Sequence, residues 1–343
     1  MEQPRAIPFE CHRGRKHNAA VKAKYYGTEN MDSQSTLYRS DLIAGFRNLG
    51  LSPGAVVLVH SAMRTFGRIE GGATTVIDAL LDVLGPMGTL VVPTFTFAQE
   101  AEKDPIVDPA TDSSEMGAIS EAGRCHPDSR RSVAFRHSFA AIGRRAELVT
   151  DVDPSLSPFD LGSTFGIMLD LNTQIMLCGL TYSNSTSHHF AEWVCEVPYR
   201  HSVDMRVKVR SVDGSIAEQP MVDYQPKSEG GSYYGTRGPD FDRLGRMLED
   251  AGRVGTAFIG NSAVRQFAMR DLMDLARVEA ASDYNVFRTP EHRQGELTPL
   301  TFGTVVPSPP LTDGAGRSDV IDWCVADPAK LVMPDVEPER RGG

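Results

Sequence analysis

Apolar and polar positions alternate along this chain in patterns that divide it into strands and helices. "AVVLVHSAM" (55–63) is an unbroken apolar run of strand length, as expected of a strand buried on both faces. "GGATTVIDALLDVLG" (71–85) puts apolar residues at 76, 77, 80, 81 and 84, a helical spacing that Gly85 closes. "GTLVVPTFTF" (88–97) is a second buried strand. Strand, helix and strand in so short a stretch predict a βαβ unit with parallel pairing. Upstream, "STLYRSDLIAGFRNLG" predicts a helix with Ser and Thr caps and a stop at Gly50. Downstream come a helix after "DSSEMG", a short strand in "SFAAIG" (138–143), a proline-rich loop (151–163), a helix in "GSTFGIMLDL" and a buried strand in "TQIMLCGL". The pattern then alternates about Asp213-Gly214, a strong hairpin signal. Two amphipathic helices are expected at 240–251 and 262–277. Residues 1–35 read as an N-terminal extension, 36–302 as one α/β domain and 303–343 as a C-terminal extension.

Composition narrows the class of protein. The 343 residues are 41% hydrophobic and 23% charged, ordinary for a globular chain. No apolar run approaches the ~18–20 residues that span a bilayer, and the N-terminus lacks the apolar stretch of a secretory signal, so no membrane partner is expected. Cysteines 11, 125, 178, 195 and 324 are scattered and odd in number, with no C-x-x-C pair. They fit reduced thiols in a cytoplasmic protein better than disulfides or a zinc site. A net charge of −10 argues against nucleic acid as a partner and favours cationic small molecules.

Three polar clusters follow predicted strands: "HSAMRTFGRIEGG", "TFTF" and "NSTSHHFAEW" (184–193). Ligands of open α/β sheets bind beyond the carboxyl ends of strands, so the three are expected to converge on one site. In the last cluster, Thr186 or a neighbouring Ser is placed to cap a helix, and helical spacing sets Thr186, His189 and Glu192 on one face. A histidine near a helix N-terminus, oriented by a carboxylate, is a neutral general base for an amine or hydroxyl nucleophile. The alternative, a structural histidine bonding loop carbonyls, stays open at this stage. His188 is expected in a supporting layer or in solvent. Thr186 or nearby amides are candidates to stabilise an oxyanion. In the first cluster, Arg64, Arg68 and the glycines before the helix suit phosphate binding, as well as a plain glycine-rich connection. His189 and Glu192, completed by His137 or His201, give a metal-hydrolase alternative that the spacing supports poorly.

The order of "VLVHSAMRTFGRIEGGATTVIDALLDVLGPMGTLVVPTFTF", "DPATDSSEMGAISEAGR", "RRSVAFRHSFAAIGRRAELVT", "SPFDLGSTFGIML" and "IMLCGLTYSNSTSHHFAEW" resembles the aminoglycoside 3-N-acetyltransferase family, over roughly residues 38 to 290. The resemblance implies a three-layer α/β/α fold with a mixed, largely parallel sheet. It also implies acyl transfer from a coenzyme A thioester to an amine, with acetyl-CoA or another acyl-CoA as co-substrate and no metal. The family's T-x-x-H-x-x-E falls on Thr186, His189 and Glu192, and the acidic partner of its histidine on Asp223. His60, Ser61, Gly71, Gly72, Thr74 and Ser138 are implied to line the coenzyme's site. Ala134-Phe135 stands where many relatives carry His-Pro, which bears on the choice of acceptor. A carrier-protein thioester as donor, a non-aminoglycoside amine as acceptor and a homodimer all remain open.

Overall fold

The computed structural model describes residues 36–97, 99, 104–227 and 239–288. The expected extensions, and the end of the domain at 289–302, lie outside the described residues. In chain order the elements are α1 (Arg39–Asn48), β1 (Val56–Ser61), α2 (Gly72–Leu84), β2 (Thr89–Pro93), β3 (Ile106–Val107), α3 (Ala118–Arg124), β4 (Arg130–Arg131), β5 (Phe139–Gly143) and α4 (Ala146–Thr150). There follow α5 (Thr164–Asp170), β6 (Gln174–Cys178), α6 (Ser187–Val194), β7 (Arg200–Arg210), β8 (Ile216–Pro226), α7 (Phe241–Asp250), β9 (Gly255–Ile259), β10 (Ser262–Ala268) and α8 (Met269–Ser282).

The main sheet has the order β4-β5-β2-β1-β6-β10-β9. Its centre is parallel: β1 pairs with β2 (Val56↔Thr89) and with β6 (Val57↔Gln174). Both flanks are antiparallel, so the parallel character is confined to three strands. The unbroken apolar runs follow from burial on two sides. In β1, Val56 and Leu58 join the core beneath α4 to α8, while Val57 and Val59 join the core beneath α1 to α3. Phe46 and Val76 fill the second layer; Phe165, Phe190, Leu244 and Leu272 fill the first. Burying each such side chain contributes ~1.5–3 kcal/mol. The result is an α/β/α sandwich.

The expected hairpin is present: β7 and β8 pair from Arg200↔Pro226 to Arg210↔Ile216, and Gly214 (φ +83) lies in the connecting turn. With β3 it forms a separate three-stranded sheet that packs through Val107, Val207, Val209 and Met221. The helix expected at 262–277 is a correction. Residues 262–268 are β10, the helix begins at Met269, and β9 is a strand that the apolar pattern does not reveal. Wedged between β6 and β9, β10 buries all but Ala263, so it shows no alternation. Its real signal is the two-residue Gly260-Asn261 turn joining Ile259 to Ser262, with Gly260 at φ +58. The first helix also departs from expectation. It starts after Tyr38, whose backbone N–H is held by Asp41 Oδ2 at 2.8 Å, instead of on a Ser or Thr cap. No helix among the described residues is long and apolar enough to cross a membrane.

Candidate active site

Because β2, β1 and β6 are adjacent and parallel, their carboxyl ends share one edge, and the three polar clusters emerge there together. The Ala62 N–H donates to Cys178 O at 2.9 Å, laying the segment after β1 against that after β6. The approach requires a glycine: a Cβ on Gly179 (φ +66) would stand 2.0 Å from Thr65 Oγ1. After β2, Phe95 meets the His137 ring edge-on at 5.0 Å. His137 packs on Phe159, which in turn lies 6.4 Å from the His189 ring, so rings connect the second cluster to the third.

At the centre of the third cluster is α6, whose N-cap is Thr186. The expected side-chain cap is not made. Thr186 already has helical dihedrals, and its carbonyl accepts from His189 N at 3.0 Å. Its hydroxyl makes no hydrogen bond among the described residues, and Thr186 is nearly buried. One turn on, His189 Nδ1 lies 2.6 Å from Glu192 Oε2. The same carboxylate oxygen takes Arg200 Nε at 2.8 Å, and Oε1 accepts from the Tyr199 hydroxyl at 3.0 Å. Arg200 Nη2 also stands 3.1 Å from His189 Nδ1. A guanidinium cannot accept a proton, and a bare Nδ1 would face a carboxylate lone pair at 2.6 Å. Nδ1 therefore carries the proton and donates it to Glu192, which leaves Nε2 as the basic nitrogen. Burial, and after it the Arg200 cation, hold the imidazole below the usual histidine range, outweighing the pull of Glu192 in the other direction. The His189 side chain is 18% exposed, while Glu192 is sealed at 2%.

The carboxylate expected to orient His189 is a correction. Asp223 contacts Arg136 at 3.3 Å, Gln225 Nε2 at 2.9 Å and its neighbour's backbone N–H, and forms no bond to His189. Glu192 takes its place because Arg200, at the start of β7, draws that carboxylate across the face of the helix. His188 corrects one of the two places expected for it: it is not in solvent but in the layer behind His189, the two rings sharing Phe241. It is fully buried, stacked on Phe241 at 5.0 Å beside Tyr182 and Phe267, with both ring nitrogens unpartnered. Burial pushes it down to about 3.

The first cluster divides. His60 shares its face of β1 with Val56 and Leu58, is 4% exposed with Nε2 unpartnered, and is held down to about 4 by burial. It is a buried histidine next to the last residue of β1. The Ser138 hydroxyl donates to Thr94 O at 2.9 Å and meets Arg131 Nε at 3.2 Å. Ser61 is partly exposed at the strand end. Arg64 and Arg68 are exposed and form no ion pair among the described residues. They precede the start of α2, where Gly71 (φ +72) and Gly72 (φ +69) shape the turn and Thr74 is exposed. For the metal alternative, both Glu192 oxygens are engaged, one by a guanidinium where a cation would have to sit. His201 is exposed on β7, and no group of three or more potential ligands occurs among the described residues. The sequence pattern does not mark Tyr199, Arg200, Phe159 or Phe241. One signal was available for Arg200: a glutamate on the inner face of a helix needs a cation, and Arg200 begins the next strand.

Comparison with known proteins agrees with this architecture. The family model described as "Aminoglycoside 3-N-acetyltransferase" matches residues 58–279. Aminoglycoside N(3)-acetyltransferase VII of Streptomyces paromomycinus is 30% identical over 71% of this chain and 94% of its own. Aminoglycoside N(3)-acetyltransferase IV of Salmonella sp is 35% identical over 47% of this chain, which spans only 60% of that relative's length. Among solved structures, AAC-IIIb in binary complex with CoASH shares the fold, with a TM-score of 0.64 at 22% identity over 75% of this chain and 99% of its own. The chain belongs to the aminoglycoside 3-N-acetyltransferase family.

Proposed function

We propose that this chain transfers an acetyl group from acetyl-CoA to an amine of an aminoglycoside or related amino compound, with His189 as general base. One observation carries the reading: an imidazole whose Nδ1 lies 2.6 Å from the buried Glu192 carboxylate, in a side chain that is itself only partly buried. In the reaction the acceptor nitrogen attacks the thioester carbonyl. The new N–C bond forms, the C–S bond breaks, and the proton lost by the amine passes to His189 Nε2 and on to the leaving thiolate. Such a base contributes roughly 10²–10⁴-fold. The uncommitted Thr186 hydroxyl supports a role beside the oxyanion. Arg64, Arg68 and the glycine-rich start of α2 suit the coenzyme's phosphates. A net charge of −10 draws a polycationic acceptor toward the protein.

The test is thiol release from acetyl-CoA against a panel of aminoglycosides and simpler amines, with longer acyl-CoAs and a carrier-protein thioester as alternative donors. His189→Ala is expected to lower kcat at least ~10²-fold with little change in the KM for acetyl-CoA. Thiol release that no amine accelerates, or near-normal turnover in the folded variant, overturns the reading.

A further inference from the structure

Glu192 poses an electrostatic problem that its helix cannot solve. A carboxylate with 2% exposure loses its hydration, and a cation and further donors must replace the lost water. The compensation comes from the chain just beyond α6. After a turn with Glu196 in the left-handed region (φ +50), Tyr199 and Arg200 fold back over the carboxylate. The Arg200 side chain is itself only 4% exposed. Its Nη1 donates to Tyr224 O at 3.2 Å, and the guanidinium lies 5.2 Å from the centre of the Tyr224 ring. One planar group thus reaches β8, Glu192 and His189 together. A cation 3.1 Å from Nδ1 also opposes formation of the imidazolium.

We propose that Arg200, with Tyr199 on the second carboxylate oxygen, is a positioning residue that keeps Glu192 turned toward His189, locking the imidazole in the tautomer whose unprotonated nitrogen is Nε2. The proposal deepens the acetyl-transfer reading and rests on it for its consequence in turnover, but the tautomer can be read without turnover. Other groups facing the ring are His137, also held neutral by burial, the adjacent His188, and the Phe159 and Phe241 rings. Among the described residues none of these is a carboxylate, so the lock depends on Glu192 staying turned toward the ring.

The experiment uses the full chain labelled with ¹⁵N-histidine. Long-range proton–nitrogen spectra at neutral pH distinguish pyrrole-type from pyridine-type ring nitrogens, and loss of one signal set in His189→Ala assigns the residue. The native protein is expected to show His189 with a protonated Nδ1 and a bare Nε2. Arg200→Lys keeps the charge that buried Glu192 requires, and so the fold. A point-like ammonium cannot place one donor on Oε2 while a second nitrogen stands beside the ring. That variant is expected to show mixed tautomers and a kcat lowered about 10- to 100-fold, with the KM for acetyl-CoA within about twofold of the native value. Arg200→Met is expected to lose the single tautomer outright, and Tyr199→Phe to fall between the native protein and Arg200→Lys. An unchanged tautomer and unchanged kcat in Arg200→Lys overturn the proposal, whether or not Arg200→Met folds. If the native protein transfers no acetyl group, the functional reading fails while the spectra still judge the tautomer lock.

Discussion

Mild acid should unfold this protein by a route visible in its core histidines. His60 and His188 are 4% and 0% exposed, carry nitrogens without partners, and are held down to about 4 and about 3 by burial. His137 is driven well below its ordinary range by burial and then by Arg136. In the unfolded chain each titrates near ~6.5. As the pH falls below that value the unfolded state takes up protons that the native state refuses, so stability is fully present above ~6.5 and is lost toward ~4. At about pH 5 the loss is 1.36 × 1.5, or ~2 kcal/mol per histidine held neutral, and roughly 6 kcal/mol for three. That is comparable to the ~5–15 kcal/mol that keeps a typical domain folded. Urea unfolding followed by circular dichroism at several pH values from about 7.5 to 5 reads the slope directly. About three protons, ~4 kcal/mol per pH unit, are expected near pH 5. His188→Phe, which extends the stack on Phe241 and removes two unpartnered nitrogens, should lower the slope by about one proton and stabilise the protein at every acidic pH. A slope below about one proton in the native protein, or an unchanged slope in His188→Phe, would refute the burial argument.

Two further outcomes bear on the site, and a third on the coenzyme. Glu192→Gln should reduce kcat by at least ~10², whereas Asp223→Asn, whose carboxylate is taken up by Arg136 and Gln225, should cost several-fold less; the reverse order would restore Asp223 as the partner. In the native protein the acid limb of kcat/KM should fall at a pH below ~6.5, because burial and Arg200 disfavour the imidazolium, and a midpoint above that value would count against His189 as the base. Neutralising Arg64 and Arg68 together should raise the KM for acetyl-CoA, more so at low salt, and leave kcat nearly unchanged. Unaltered donor affinity in that double variant would move the phosphates elsewhere.

The sequence made the central strands legible because each is buried on both faces and so apolar throughout, as in Val56 to Val59. It made the hairpin legible through Asp213-Gly214 and the His189–Glu192 pair through the crowding of polar groups after Cys178. It misled at β10, where complete burial erased the alternation a strand usually shows, and a stretch of apolar and polar residues fitted a helix equally well. It also misled on the partner of His189. An i, i+3 pair on a helix tends to lie side by side, whereas a hairpin residue can meet the ring head-on. What the spacing could not convey is that the hairpin contributes the cation. Arg200 pulls Glu192 across its own helix face and so makes the local pair meet.

The charge arrangement around His189 follows one rule. Glu192 is balanced by Arg200, Asp223 by Arg136, and His60, His137 and His188 are held uncharged by burial. Among the described residues the interior near His189 therefore has little net charge, although the chain as a whole carries −10. That separation has a chemical use. A surplus of negative charge beside the ring would stabilise the imidazolium and fill Nε2 with a proton before any amine arrived. A surplus of positive charge would make the base too weak to take one. With each buried carboxylate paired, the proton's destination depends on the short Nδ1–Glu192 bond, which strengthens as the imidazolium forms, opposed by the nearby Arg200 cation. In the proposed reaction, the chain's overall negative charge would then attract a cationic acceptor without protonating His189.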